Sequence, residues 1–292
     1  MLLAGLQGRV EREYPLSKLT TWQIGGPAEV CFWPTSKEDL IQAADRAASE
    51  GLSLHMLGKG SNILAPDEGV RGLVVVTTEL KNIVWGKYAA QAECGCMLNG
   101  LALEASRRGW SGLEFAFGIP GTVGGGVRMN AGAYGREIAD SLKSALIWRP
   151  GQEARRFERQ ELEFSYRSCL LEQDQWILEG EFYFTAGDKQ KIRADMQDNL
   201  KKRKNEQPLR FPNAGSVFRN PPGESAGRLI ESAGWKGKRL GGAMVSEQHA
   251  NFIVNTGGAK ARDVSALMKR IQEDVAAKFR IELTAEIHTI TD

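Results

Sequence analysis

Four glycine-dense stretches carry the clearest chemistry in this 292-residue sequence: Gly25-Gly26, Gly58-Lys-Gly-Ser-Asn62, Gly118-Ile-Pro-Gly-Thr-Val-Gly-Gly-Gly126 and Asn130-Ala-Gly-Ala-Tyr-Gly135. Glycine reaches backbone conformations closed to other residues and leaves main-chain N–H groups unobstructed, so such stretches turn sharply and approach anionic ligands closely. One alone is an ordinary turn. Four in the first half of the chain fit a large cofactor with a pyrophosphate and a flat ring system. The standard nucleotide fingerprints do not account for them. Gly58-Lys-Gly-Ser-Asn-Ile63 begins as GxGxxG but ends on Ile63, and Pro66 opposes the helix that a Rossmann loop opens. Lys59 and Lys238 follow glycines but precede Gly60 and Arg239, so GxxxxGK[ST] is absent and a P-loop hydrolase is excluded.

The elements that hold these stretches follow from periodicity and punctuation. Glu29 to Trp33 reads as a strand closed by Pro34, and Ser36 with Asp39 forms a capping box for a helix that stops at Gly51. Strands are predicted at 52–57, 73–77 and 83–93, and a helix at 98–108 ending on Gly109. The 118–126 and 130–135 stretches read as loops. Strands resume at 145–148 and 176–184, and a helix over 188–204 leads into the polar, proline-bearing run 205–213. Val264, Leu267, Met268, Ile271, Val275 and Phe279 recur at helical spacing. A strand is predicted over 281–290, with Ile281, Leu283, Ala285 and Ile287 on one face and Glu282, Thr284, Glu286 and His288 on the other. By pattern alone the second face is a solvated one. The mixture defines an α+β protein.

Composition bounds the function. Hydrophobic residues make up 42% and charged residues 25%, the range of soluble globular chains. Basic and acidic residues number 38 and 36, so no general nucleic-acid surface is expected. The first residues lack a basic leader with a long apolar run, and no stretch approaches the roughly 20 apolar residues of a membrane span. Cys31, Cys94, Cys96 and Cys169 form no CxxC pair and no zinc spacing, which predicts reduced thiols in a cytoplasmic protein and no metal site.

In order along the chain stand Thr20-Thr-Trp-Gln-Ile-Gly-Gly-Pro-Ala28, Leu57-Gly-Lys-Gly-Ser-Asn62, Ser111-Gly-Leu-Glu-Phe-Ala116, Gly118-Ile-Pro-Gly-Thr-Val-Gly-Gly125 and Met129-Asn-Ala-Gly-Ala-Tyr-Gly135. Phe164-Ser-Tyr-Arg-Ser168, Asn213-Ala-Gly-Ser-Val-Phe-Arg-Asn-Pro221, Gly241-Gly-Ala-Met-Val-Ser246 and His249-Ala-Asn-Phe-Ile-Val-Asn255 follow. Individually some are weak; as an ordered series they resemble the UDP-N-acetylenolpyruvoylglucosamine reductase (MurB) family.

The resemblance implies a two-lobed FAD-binding region of the PCMH/vanillyl-alcohol-oxidase-like type over 1–187, with lobes of about 1–78 and 79–187. A connecting helix at 188–204 and a separate α+β substrate-binding domain at 205–292 would follow. It implies noncovalent FAD, NADPH as hydride donor and a UDP-sugar substrate whose enolpyruvyl group is reduced for peptidoglycan synthesis. Carried over position by position, the cofactor residues are Gly25, Gly58, Gly60, Ser61, Asn62, Gly118, Ile119, Pro120, Gly121, Gly124, Gly125, Asn130, Ala131 and Gly132. Tyr134 and Asn220 match substrate-binding positions, and Lys201, Arg219 and Lys236 are further basic candidates for the diphosphate and uridine.

Hydride addition to an enol ether bearing a carboxylate builds negative charge that calls for a cation and a placed proton source. By resemblance Arg167 supplies the cation, Ser216 the proton, and Glu286 orients substrate or relays protons. Without the resemblance, Arg167 reads as a surface arginine after a strand and Ser216 as a turn serine. The short stretch from Arg167 to Lys201 fits the form of the family without its extra tyrosine-bearing loop. Glu206-Gln-Pro208 replaces the usual Thr-Gln-Pro, and Cys94 and Cys96 stand where alanine and glycine are usual, a packing change. Two other functions fit parts of the sequence: an oxidase with flavin tethered through His55 or a cysteine, and a nucleotide-sugar sensor without catalysis.

Overall fold

The computed structural model describes residues 3–290. The chain packs as two units, each discontinuous in sequence. The first takes the residues up to 12, 30–59 and 72–203; the second takes 13–29, 60–71 and the chain from 204 onward. A contiguous first lobe of about 1–78 would have kept 13–29 and 60–71 together with the strands around them. Packing joins them to the C-terminal segment instead, because Trp22, Ile24 and Leu64 are buried in its hydrophobic core.

The first unit has two cores. In one, helix α1 (Lys37–Ser49) buries Leu40, Ala43, Ala44 and Ala47 together with Val30, Phe32, Leu73 and Val75. Ser36 starts the helix: its hydroxyl oxygen accepts the Asp39 N–H at 3.1 Å and its hydroxyl donates to the Asp39 carboxylate at 2.6 Å. The neighbouring sheet runs in the order Gly8–Pro15, Pro27–Pro34, Val70–Val76, Leu54–Leu57, with the last two strands parallel.

The second core lies against an antiparallel sheet in the order Arg155–Glu158, Leu142–Trp148, Trp176–Tyr183, Ala89–Glu93, Ile83–Gly86. Helix α2 (Leu98–Arg108) buries Leu98, Leu101, Ala102 and Ala105 there, and Gly109 ends it in the left-handed region at φ 74°.

The predicted 118–126 loop is corrected. Val123–Arg128 is a short helix, α3. Glycine is a poor helix former, by about 1 kcal/mol against alanine, so packing must supply the stability. A Cβ on Gly124 would stand 2.9 Å from the Cys94 Cβ, and one on Gly126 would stand 2.7 Å from a Leu98 methyl. The glycines let α3 press against the segment that carries Cys94 and against α2. Helix α4 (Lys189–Glu206) buries only Ile192 and Met196.

Glu179, on the central strand of the antiparallel sheet, is almost wholly buried and pairs with Lys37 at 2.9 Å and Arg156 at 2.6 Å. Burial by itself raises its pKa. The two cations outweigh that and hold the carboxyl below its ordinary value.

In the second unit, helices α5 (Ala226–Ser232) and α6 (Ala261–Phe279) share a core with a three-stranded antiparallel sheet ordered Arg239–Leu240, Ala243–Val245, Ile253–Asn255. Val264, Leu267, Met268, Ile271 and Val275 are buried, as their spacing predicts. Trp22 donates its indole N–H to the Ile253 carbonyl at 2.8 Å, and the Asn255 amide donates to the Trp22 carbonyl at 3.0 Å. The Asp67 carboxylate accepts the N–H groups of Ala261 at 2.7 Å and Arg262 at 3.1 Å, and so caps α6 from far along the chain.

The predicted strand 281–290 is also corrected. It holds one isolated bridge, Phe218 with Ala285, and a two-residue strand, His288–Thr289, parallel to Ile63–Leu64. The extended segment changes partner midway, from 217–219 to 62–64, so no single ladder runs its length. Among the described residues no helix is long and apolar enough to cross a membrane.

Candidate active site

The first unit holds the 130–135 loop and Arg167. Asn130 is fully buried at φ 40°; its amide N–H donates to the Ser165 carbonyl at 3.0 Å, and its amide oxygen accepts the Ala139 N–H at 3.1 Å. It thereby ties the loop to the Ser165–Ser168 turn, whose ends exchange hydrogen bonds at 3.0 and 3.1 Å. Its side chain, expected on the cofactor, serves at least this structural role. Arg167 sits in that turn at φ 57° and donates to the Gly132 carbonyl at 2.9 Å. Any Cβ on Gly132 would stand 2.7 Å from the Arg136 carbonyl oxygen, which explains the glycine.

Tyr134, also left-handed at φ 57°, donates its hydroxyl to the Asn199 carbonyl on α4 at 2.7 Å. The Lys202 ammonium stands 5.9 Å from the centre of its ring. One helical turn beyond Asn199, Arg203 lies against Gly118, where a Cβ would be 3.1 Å from the arginine Cδ. Arg203 is half-buried and forms no ion pair with a described residue; burial lowers its pKa, slightly opposed by Tyr134. Its place beside Gly118 and near Tyr134 suits a carboxylate, a diphosphate or another anionic oxygen. The sequence singles out Lys201 on this helix and not Arg203, because neighbouring cations look alike until the fold half-buries one of them.

The glycine stretches divide by what their missing side chains would meet. A Cβ on Gly58 would lie 2.4 Å from the Thr122 hydroxyl, one on Gly25 would lie 2.7 Å from the Ala65 methyl, and one on Gly60 would lie 2.1 Å from the Leu19 carbonyl oxygen. Those glycines, with Gly124 and Gly126, serve close packing of the protein on itself. Gly125 differs: only the Thr122 hydroxyl comes within 4 Å, at 3.7 Å, so a bare strip of backbone is left between two packed glycines. Such a strip can take a flat or anionic group in close approach, which fits FAD. Gly121 and Ala131 are held by main-chain bonds to Leu98 and Gly126; Ile119 is half-buried and Pro120 exposed.

The second unit holds Ser216 and Glu286. Asn213 accepts the Gly215 N–H at 3.0 Å, and Gly215 turns at φ 80°, delivering Ser216 half-buried at the start of an extended segment. Asn251 then clamps that segment: its carbonyl accepts the Val217 N–H at 2.9 Å and its side chain exchanges hydrogen bonds with Phe218 at 3.0 and 2.8 Å. Across from it, the Glu286 N–H donates to the Val217 carbonyl at 2.9 Å, so Glu286 lies opposite the residue next to Ser216. Of Glu282, Thr284, Glu286 and His288, only Glu286 is half-buried; the others are exposed. Ser61 and Asn62 are half-buried as well, and Asn62 donates its amide to the Glu286 carbonyl at 3.0 Å.

His249 and Asn251 gained no role from the sequence beyond membership of a motif. The His249 Nδ1 accepts the Asn251 N–H at 3.2 Å, and burial with nearby Lys236 pushes its pKa down, so the imidazole is neutral. Of the remaining candidates, Asn220 is exposed and accepts the Ala226 N–H at 3.0 Å, capping α5; Lys236 pairs with Glu231 at 2.8 Å; Lys201 is exposed. The Cys94 and Cys96 thiols are buried and pushed up to about 12, which leaves them protonated and poor nucleophiles.

Comparison with known proteins shows the family. Residues 28–156 match the FAD binding domain family, and residues 207–290 match the C-terminal domain of UDP-N-acetylenolpyruvoylglucosamine reductase. The molecule is therefore an FAD-dependent oxidoreductase built from a flavin-binding region and a second α+β domain. It is 46% identical over 286 residues to UDP-N-acetylenolpyruvoylglucosamine reductase 2 of Symbiobacterium thermophilum, covering 96% of this chain and 92% of that one. With the Moorella thermoacetica reductase the identity is 44%, over 98% of this chain and 95% of the relative. The crystal structure of MurB from Thermus caldophilus superposes with a TM-score of 0.84 at 36% identity, covering 98% of this chain and all of that one. Physcomitrella patens BBE-like 1 shares the fold alone, with a TM-score of 0.50 at 15% identity over 63% of this chain and 44% of its own. This chain belongs to the UDP-N-acetylenolpyruvoylglucosamine reductase family.

Proposed function

We propose that the protein reduces the enolpyruvyl group of UDP-N-acetylglucosamine enolpyruvate to give UDP-N-acetylmuramate, in the cytoplasm, for peptidoglycan precursor synthesis. Bound FAD would supply the hydride chemistry that links NADPH to the enolpyruvyl group. The chain's own residues do the rest. Arg167 holds the substrate carboxylate, where its planar fork matches the two oxygens. Ser216 donates the proton that completes addition of one hydride and one proton across the double bond. Glu286 orients the substrate beside it. Tyr134, Lys202, Arg203 and Asn220 receive the diphosphate end. The flavin is held noncovalently by the bare backbone at Gly125, by Ser61 and by the neighbouring main-chain N–H groups of the 58–62 and 118–126 stretches. Residues 205–292, with 13–29 and 60–71 packed among them, form the substrate domain.

The observation that supports this reading best is the Glu286 N–H to Val217 carbonyl bond of 2.9 Å, which puts the half-buried acid opposite the neighbour of Ser216. The test is spectroscopic. The purified protein is expected to be yellow, to bleach with NADPH in the absence of air and to recolour with the enolpyruvyl sugar. Acid precipitation is expected to leave the colour in solution. Protein that carries and accepts no flavin overturns the reading, and colour in the pellet favours the tethered oxidase instead.

A further inference from the structure

Glu286 is fixed through both of its main-chain polar groups. Its N–H goes to the Val217 carbonyl at 2.9 Å, and its carbonyl accepts the side-chain amide of Asn62 at 3.0 Å. The Asn62 carbonyl in turn accepts the His288 N–H at 3.0 Å, and Ile63 and Leu64 continue the pairing with His288 and Thr289. One asparagine therefore grips the chain on both sides of Ile287, with its side chain before that residue and its carbonyl after it. The grip comes where regular pairing fails: the segment has left 217–219 and has only begun its two-residue strand with 62–64. Ile287 is buried, so the backbone has an anchor there, but the direction in which Glu286 leaves it depends on the two bonds that flank its Cα.

We propose that Asn62 is a positioning residue for Glu286: its side chain sets the geometry of that acid, and only the main chain of the Gly58–Asn62 stretch receives the cofactor. The resemblance assigns Asn62 to the flavin; the structure directs its amide to Glu286. The glycines before it support this. Gly60, at φ 63°, leaves no room for a Cβ against the Leu19 carbonyl, and the Thr21 N–H donates to the Gly60 carbonyl at 3.1 Å. The loop is thus held from behind at Gly60, and Asn62 reaches forward from a fixed base. The inference rests on the assignment of Glu286 to the half-reaction with the enolpyruvyl sugar.

The test uses flavin-loaded N62D and N62A, with E286Q beside them. Aspartate keeps the size and an acceptor of asparagine but has no amide N–H to give the Glu286 carbonyl. Misplacement of a reacting group by about 1 Å costs on the order of 100-fold, so reoxidation of the NADPH-reduced enzyme by the enolpyruvyl sugar is expected to slow by about 100-fold in both. Flavin reduction by NADPH and FAD affinity are expected to stay within about threefold of the parent, since neither depends on Glu286. Hydrogen exchange of a peptide covering 284–290 is expected to rise, because a bond that holds that segment is gone. FAD affinity or flavin reduction falling in step with reoxidation makes Asn62 a cofactor ligand and overturns the proposal. Unchanged reoxidation also overturns it. Slow E286Q with N62D at the parent rate removes only the role of Asn62, whereas E286Q at the parent rate removes the reading beneath it.

Discussion

Two groups of charges within the first unit have opposite fates. Glu179 is buried between Lys37 and Arg156, with both cations at hydrogen-bonding distance. Arg203 is half-buried beside Gly118 with no ion pair among the described residues. Burying a charge is costly, and Glu179 offsets the cost inside the fold. Arg203 does not. On the function proposed above, such a cation, partly desolvated and without an ion pair among the described residues, receives the anionic end of the substrate. The comparison sets charges that hold the protein together against a charge proposed to meet a ligand, and each can be removed to see which property is lost.

The largest effect is expected where only chemistry is touched. S216A should cut overall turnover by about 1000-fold, the size of a lost proton donor, while flavin reduction by NADPH stays close to the parent rate in stopped-flow traces. Near-normal turnover takes Ser216 out of the proton-donor role. E179Q should do the reverse. It leaves Lys37 and Arg156 beside a neutral amide, at a cost of about 3 kcal/mol in denaturant unfolding, with both half-reactions near the parent rates in folded protein. R203M should weaken binding of the UDP-sugar by about 10- to 100-fold, read from the perturbation of the flavin spectrum, with little change in Tm, because no buried acid loses its partner. A falling Tm with unchanged binding would move Arg203 into the first group.

The smallest effect is in pH. The folded state holds the Glu179 carboxyl below its ordinary 4.5, so the stability it contributes is present above that value and is lost as pH falls through the folded pKa. The acid side of the unfolding profile should be shallower in E179Q. An equally steep profile would assign the acid sensitivity to other groups.

Local signals were legible where structure is local. The Ser36 cap, the stop at Gly109 and the apolar stripe from Val264 to Val275 each fix neighbours within a few residues, and the structure has all three helices. The ordered motifs led to the family and so to Ser216, Arg167 and Glu286. Alternation also put Glu286 on the polar face, but it made four residues equivalent there, and in the structure burial sets Glu286 apart from the other three.

The sequence by itself determined the helices with clear periodicity and caps, the family, and the candidate chemistry, because these depend on residue type and short spacing. Tertiary structure alone decided that 13–29 and 60–71 pack with the C-terminal segment, that Val123–Arg128 is helical, and that the last extended segment changes partner at Glu286. Each depends on contacts between residues far apart in the chain. Asp67 meets Ala261 across 194 positions and Asn62 meets Glu286 across 224, and no periodicity in a short window records such a bond. The same holds for Arg203: its charge was plain in the sequence, but that it is half-buried with no ion pair among the described residues became visible only after the chain had folded around it.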